Sequence, residues 1–280
     1  MNIDTREVSY IRPVGWISKP YKGEMIHVST RRLDLMTTPD HNNIVFPYYG
    51  RKDKTSKLEF VSAASMTDLS NVKMTRTCER VVGTKIEYII LPEIDNSKYH
   101  QNGKYYKELK IPMDEFLTFL GFYISDGNIY SVKTKTEAVA YDITLSKGNK
   151  ATLEKYKRLV DKWLSIDSKI YYNNAGCHKL QFRNPQLGIV LSKLGTALTK
   201  YIPKEIFDLP KEQLLKLLEG FLDGDTGKRE DSCTYYTSSP QLADDIQRLL
   251  LHCGLSGQIK KIDRINRVSA GISKISGVPY

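Results

Sequence analysis

Two stretches of this 280-residue chain repeat one pattern, IPMDEFLTFLGFYISDGN from Ile111 and LPKEQLLKLLEGFLDGDTG from Leu209. Each opens on an apolar residue and a proline, which suits a helix's first turn, runs on with apolar residues three and four apart, and stops at Gly and Asp. In each a glycine precedes an aspartate by five, Gly121 to Asp126 and Gly220 to Asp225, and the aspartates lie 99 positions apart (225 − 126). The segments after the two helices also correspond. The first copy continues through YDITLSKGN, a helix ATLEKYKRLVDKWL, a strand KIYYNN and a last helix PQLGIVLSKLG; the second continues through CTYYTSSPQ, a helix LADDIQRLLLHCGL and a strand GQIKKID. The repeat predicts an αββαββα unit used twice, the second copy running out at Tyr280 before its closing helix.

Two such units can pack about a pseudo-twofold axis through their first helices. Gly121 and Gly220 are the positions where the backbones approach, because a missing side chain permits close contact. That packing brings Asp126 and Asp225 together at helix C-termini, where a carboxylate meets the negative end of the helix dipole and each acid repels the other. A divalent cation removes both penalties. Mg²⁺ or Mn²⁺ takes hard oxygen ligands, and a pair of such sites activates water and stabilises the leaving oxygen in phosphodiester cleavage. The competing reading makes both runs ordinary core helices ending in Asp-Gly turns. The matched offsets in two copies favour the paired site.

Before residue 110 the chain offers short β-rich runs such as EMIHVST and KIEYIILP between Pro, Gly, Asn and Lys clusters, and the basic link KYYKELK precedes the first repeat. The expected fold is α+β, a β-rich domain over 1–110 followed by a pseudo-twofold pair of αββαββα units with antiparallel saddle sheets over 111–280, the repeats covering about 111–208 and 209–280. Lys plus Arg outnumber Asp plus Glu by 42 to 32, and a net charge of +10 favours a polyanionic partner, nucleic acid first. Cys78, Cys177, Cys233 and Cys253 are scattered without a CxxC pair, which argues against a disulfide framework or zinc ribbon and for a reducing compartment. The longest apolar run, FLTFLGFYI, is too short for a membrane span, and the expectation is an intracellular protein without a membrane partner. GDTGK is no phosphate loop, since Leu222 stands where the first glycine belongs and Arg229 where Ser or Thr is needed.

FLGFYISDG (119–127) and LEGFLDGDT (218–226) resemble the paired motifs of the LAGLIDADG homing endonucleases, in their single-chain, two-motif form. YTSSPQLADDIQRLL and LTKYIPKEI are similar to the intein-associated branch. The resemblance implies a metal-dependent endonuclease that cuts both strands of a long DNA site and works as a monomer through its internal symmetry. It places Asp126 and Asp225 at the last acid of each motif, as metal ligands and catalytic carboxylates, and it also implies a basic residue near the metals, for which Lys200 is the candidate. Thr226 departs from the motif's final glycine without removing an acid.

A two-stranded ribbon fits the major groove of duplex DNA. In HKLQFRN the alternation puts Lys179, Gln181 and Arg183 on one face and Leu180 and Phe182 on the other, and Arg and Gln suit guanine and adenine; Lys133 and Lys135 in SVKTKTE read bases or hold phosphates. A merely solvated sheet face is the plain alternative. RRLDLMTTPDHNNIVF and KLEFVSAASM resemble the middle of an intein (Hint) splicing domain, whose Thr and His would correspond to Thr38 and His41. The chain begins Met-Asn and ends Val-Pro-Tyr, without the terminal nucleophiles of splicing, so this domain reads as a remnant or as part of a longer interrupted gene. The alternatives are a DNA-binding remnant without catalysis, a protein-splicing element, and a maturase acting on intron RNA.

Overall fold

The computed structural model describes residues 1–262 apart from 31–32, 48–56, 67–71, 76, 98, 100–102, 132–139, 173–175, 225 and 230–231. Before residue 113 the described chain forms short strands and no α-helix: β1 (Glu7–Val8), β2 (Ile26–Thr30), β3 (Leu33–Thr37), β4 (Asn42–Pro47), β5 (Glu59–Ser62), β6 (Val72–Met74), β7 (Arg80–Val81), β8 (Tyr88–Leu91), β9 (Ile94–Asp95), β10 (Tyr105–Tyr106) and β11 (Leu109–Pro112). They make small sheets, among them a β2–β3 hairpin and a three-stranded β5–β4–β6 sheet. Val45, Leu58, Ala63 and Met66 are buried there.

Contacts divide the described chain into two compact units, Met1–Val82 with Leu250–Gln258, and Gly83–Leu249 with the described residues from Ile259. The division precedes the compositional change near residue 110 because the hairpin ahead of the first repeat belongs with the helices. Strand β8 pairs antiparallel with β11, which runs directly into α1 (Met113–Asp126). The buried Gln213 fastens it further, accepting from Ile86 N at 3.0 Å and donating to Ile86 O at 2.7 Å and Asp114 Oδ1 at 2.8 Å.

The second unit continues through β12 (Gly127–Ser131), β13 (Tyr141–Lys147), α2 (Lys150–Leu164), β14 (Lys169–Tyr172), β15 (His178–Arg183) and α3 (Pro185–Ser192), completing one αββαββα order. Then come α4 (Lys211–Asp223), β16 (Thr226–Arg229), β17 (Ser232–Tyr235) and α5 (Pro240–His252). Local chemistry sets the boundaries. Asn149 caps α2 by accepting from Ala151 N, Ser165 ends it in the left-handed conformation, and Asn184 with Pro185 opens α3.

The four strands after α1 form one antiparallel sheet in the order β12–β13–β15–β14. Its inner face presents Ile143, Leu145, Leu180 and Phe182, all buried. Against it lie α1, buried on nearly every side from Phe116 to Ile124, and α2, whose Tyr156 stacks on Phe122 at 4.2 Å while Trp163 meets Phe119 edge-on at 5.5 Å. In the second repeat β16 and β17 form a hairpin, but GQIKKID is not a strand over its described part, 257–262.

Candidate active site

The site is built on the crossing of α1 and α4. A Cβ placed on Gly121 would lie 2.1 Å from Leu217 O and one on Gly220 would lie 2.1 Å from Thr118 O, so each glycine sits on the carbonyl three residues before the other. The contact is reciprocal, and Thr118 and Leu217 are again 99 positions apart (217 − 118), as are Asp114 and the Gln213 that hydrogen-bonds it (213 − 114).

Close approach continues to the helix ends. A Cβ on Gly224 would come within 2.1 Å of Ser125 Oγ, so the last residues of both helices lie side by side. Asp126 ends α1, and from the end of β13 Lys147 Nζ donates to Asp126 Oδ2 at 2.9 Å and to Gly224 O at 2.6 Å. An ammonium thus joins a carboxylate of one motif to a main-chain carbonyl of the other. Both acceptors are hard oxygens at the negative ends of helix dipoles, and the Asp126 side chain is 17% exposed; a donor set already served by a cation suits Mg²⁺ or Mn²⁺. Asp225 lies outside the described residues, between Gly224 and the first residue of β16, as do Lys133 and Lys135 between β12 and β13.

The other acid of the second motif turns away. Asp223 accepts from Lys155 Nζ and from the Tyr156 hydroxyl, both at 2.8 Å, and Lys155 also donates to Glu219 Oε1 at 2.8 Å. Burial, joined by the bond to Asp223, pushes the Tyr156 phenol above its usual range and keeps it a donor. For Lys155 burial works against the charge, but the hydrogen bonds to Asp223 and Glu219 outweigh it and raise the pKa; Glu219 is lowered, first by Lys155. A raised lysine stabilises the fold below its unfolded pKa, and a lowered glutamate stabilises it above 4.5 and loses that contribution as pH falls through the folded value. Lys155→Met should therefore cost about 1 kcal/mol at pH near 7, discounted for solvent screening, with the difference shrinking below about pH 4. Urea unfolding at the two pH values measures it.

Lys200 takes a different place from the one expected of a basic residue open to the metals. It is buried, and its ammonium donates to Tyr123 O at 3.0 Å and Gly127 O at 2.7 Å, holding the carbonyl end of α1 and the start of β12. Its position follows from the short connection after α3, which returns to the end of α1; no local pattern marks it.

The outer face of the sheet carries Lys179, Gln181 and Arg183, all exposed, beside Thr144 and Ser146. Asp142 grips Arg183 at both ends of the guanidinium fork, by Oδ1 at 2.5 Å and Oδ2 at 3.1 Å, and raises its pKa through that hydrogen bond, so the fork is oriented before any ligand arrives. Lys147 was missed in the sequence: it is one of 42 basic residues, and only the pairing of Gly127 with Leu145 places the end of β13 beside Asp126.

In the first unit Thr38 and His41 flank a turn in which His41 N donates to Thr38 O at 3.1 Å, and Ala63 N fixes His41 O at 2.8 Å. Thr38 also hydrogen-bonds Asp40 and lowers its pKa.

Among the described residues no cluster of three His, Cys, Asp or Glu residues is spaced to hold a metal, and no helix is long and apolar enough to cross a membrane. The chain is 26% identical over 270 residues to an ATP-dependent Clp protease proteolytic subunit of Chlamydomonas moewusii, covering 92% of this chain and 25% of that protein. It is 25% identical over 277 residues to a DNA-directed RNA polymerase subunit beta C-terminal section of Stigeoclonium helveticum, covering 85% and 24%. It is also 25% identical over 268 residues to RNA polymerase subunit Rpo1C of Methanocaldococcus jannaschii, covering 89% and 29%. The chain thus spans about a quarter of the length of these curated relatives. Among solved structures, mesophilic variants of the homing endonuclease I-DmoI align at a TM-score of 0.44 and 16% identity over 54% of this chain and 83% of theirs. The complex of I-DmoI with DNA and Mn aligns at 0.43 and 16%, over 54% and 84%. Residues 212–277, which begin in α4 and run past α5, match the family model of a LAGLIDADG-like domain.

Proposed function

We propose that this chain is a site-specific DNA endonuclease of the two-motif LAGLIDADG kind, making metal-dependent double-strand breaks by phosphodiester hydrolysis. The observation that carries the reading is the meeting of the two helix ends, where Lys147 joins Asp126 to Gly224 O. The match of residues 212–277 to a LAGLIDADG-like domain supports the same reading for the second motif. We assign the nuclease to 111–280, its two repeats related by a pseudo-twofold axis, and the duplex as its partner.

Asp126, Gly224 O and Asp225 would hold the Mg²⁺ or Mn²⁺. When bound, the ion lowers the pKa of water and offsets charge on the leaving oxygen. The chain's own residues do the rest. Lys147 keeps positive charge beside the scissile phosphate, Lys200 fixes the helix end that aims Asp126, and Lys179, Gln181 and Arg183, with Lys133 and Lys135, meet base edges and phosphates.

The β-rich segment over 1–110, with Thr38 and His41 in its turn, we read as the remnant of an intein-type domain. Its support is the pattern of relatives: most of the chain matches about a quarter of a Clp protease subunit and about a quarter of two RNA polymerase subunits, and a protease and a polymerase share no chemistry, as expected of a segment carried inside unrelated proteins.

The test is a supercoiled plasmid pool carrying candidate insertion sites, incubated with the full chain and either Mg²⁺ or EDTA. Linear product with Mg²⁺ alone is expected. Duplex binding without any cleavage in Mg²⁺ or Mn²⁺ would leave a DNA-binding remnant instead.

A further inference from the structure

The open sheet face does not end where the strands end. At its outer side, strand β14 borders a groove of about 530 Å³ lined by Lys150, Lys157 and Arg158 of α2, by Lys169 of β14, and by the acids Glu154 and Asp167. Both acids are spent on lysines of the same wall: Glu154 pairs with Lys150 at 3.3 Å and Asp167 with Lys157 at 2.7 Å. Arg158 and Lys169 are exposed and make no ion pair among the described residues.

The groove is continuous with the face assigned to the duplex. Lys169 stands opposite Gln181 and Tyr171 opposite Lys179, and residues directly opposed in an antiparallel ladder share a face. A polyanion lying along Lys179 and Gln181 therefore reaches Lys169 at the sheet's edge, and beyond the edge meets Arg158.

Resting on the nuclease reading, we propose that this groove takes the phosphate backbone of duplex DNA flanking the base pairs covered by the sheet, adding sequence-independent affinity outside the recognised site. The chemistry is that of backbone positioning: two exposed cations without ion-pair partners among the described residues gain most from phosphates.

The test uses the full chain in EDTA and a random-sequence duplex of about 40 base pairs, with affinity followed by fluorescence anisotropy against KCl concentration. Each phosphate contact contributes about 0.9 to the slope of log K against log salt, so Arg158→Gln with Lys169→Gln should lower the slope by about 1.8, and Lys179→Gln on the open face by about 0.9. Both variants should melt with the parent, since these side chains are exposed. A slope unchanged in the double variant but lowered by Lys179→Gln overturns the groove and leaves the nuclease reading standing. A parent chain that binds no duplex overturns both. An extended peptide added to the edge of β14 would be a different occupant, betrayed by an unchanged salt slope.

Discussion

Asp126→Asn should reduce Mg²⁺-dependent strand cleavage by on the order of a hundredfold or more while leaving duplex binding in EDTA nearly intact. Loss of groups that merely orient metal ligands costs about 10- to 100-fold in affinity or activity, so loss of a ligand's charge should reach at least the top of that range. The change is nearly isosteric, and the amide oxygen can still accept from Lys147, so the helix end keeps its contact. Asp225→Asn should behave alike if the two motifs contribute equivalent acids. Cleavage and anisotropy on the same preparations separate the outcomes: unimpaired cutting by Asp126→Asn would remove this carboxylate from the chemistry. Joint loss of cutting, binding and folding would make it a structural residue.

Gly121→Val, or Gly220→Val, should destabilise the second unit by on the order of 3 kcal/mol and remove DNA binding along with cleavage. The added Cβ alone would sit 2.1 Å from a main-chain oxygen of the facing helix, a clash that no side-chain rotation relieves. The helices must separate, and the cost of overpacking then adds to lost dispersion contacts along α1, whose Leu117, Leu120 and Phe122 are fully buried. The geometry also predicts an order of effect, with alanine milder than valine at either position. Thermal unfolding of the four single variants measures it, and a parent-like melting temperature for Gly121→Val would mean that the helices do not cross there.

The two glycine effects and the aspartate effect are linked by geometry rather than by shared chemistry. Separating α1 from α4 also carries Gly224 O away from Asp126, because Gly224 packs directly on Ser125. Lys147 would then lose one of its two acceptors. A variant at the crossing is therefore expected to lose metal affinity before it unfolds.

Much of this arrangement was legible in the residue pattern. Apolar spacings of three and four place α2 and α3, and the alternation in HKLQFR correctly separates exposed Lys179, Gln181 and Arg183 from buried Leu180 and Phe182. Equal offsets in two runs were enough to single out Gly121 and Gly220. These features are local: a periodicity states which side of an element is apolar. Tertiary structure decided the rest. It turned Asp223 toward Lys155 and Tyr156, buried Lys200 against the end of α1, brought Lys147 to Asp126, and put the β8–β11 hairpin with the helices. Each of these depends on a helix crossing or a strand register between residues distant in sequence, and spacing along one element carries no information about which side chain of another element it will meet.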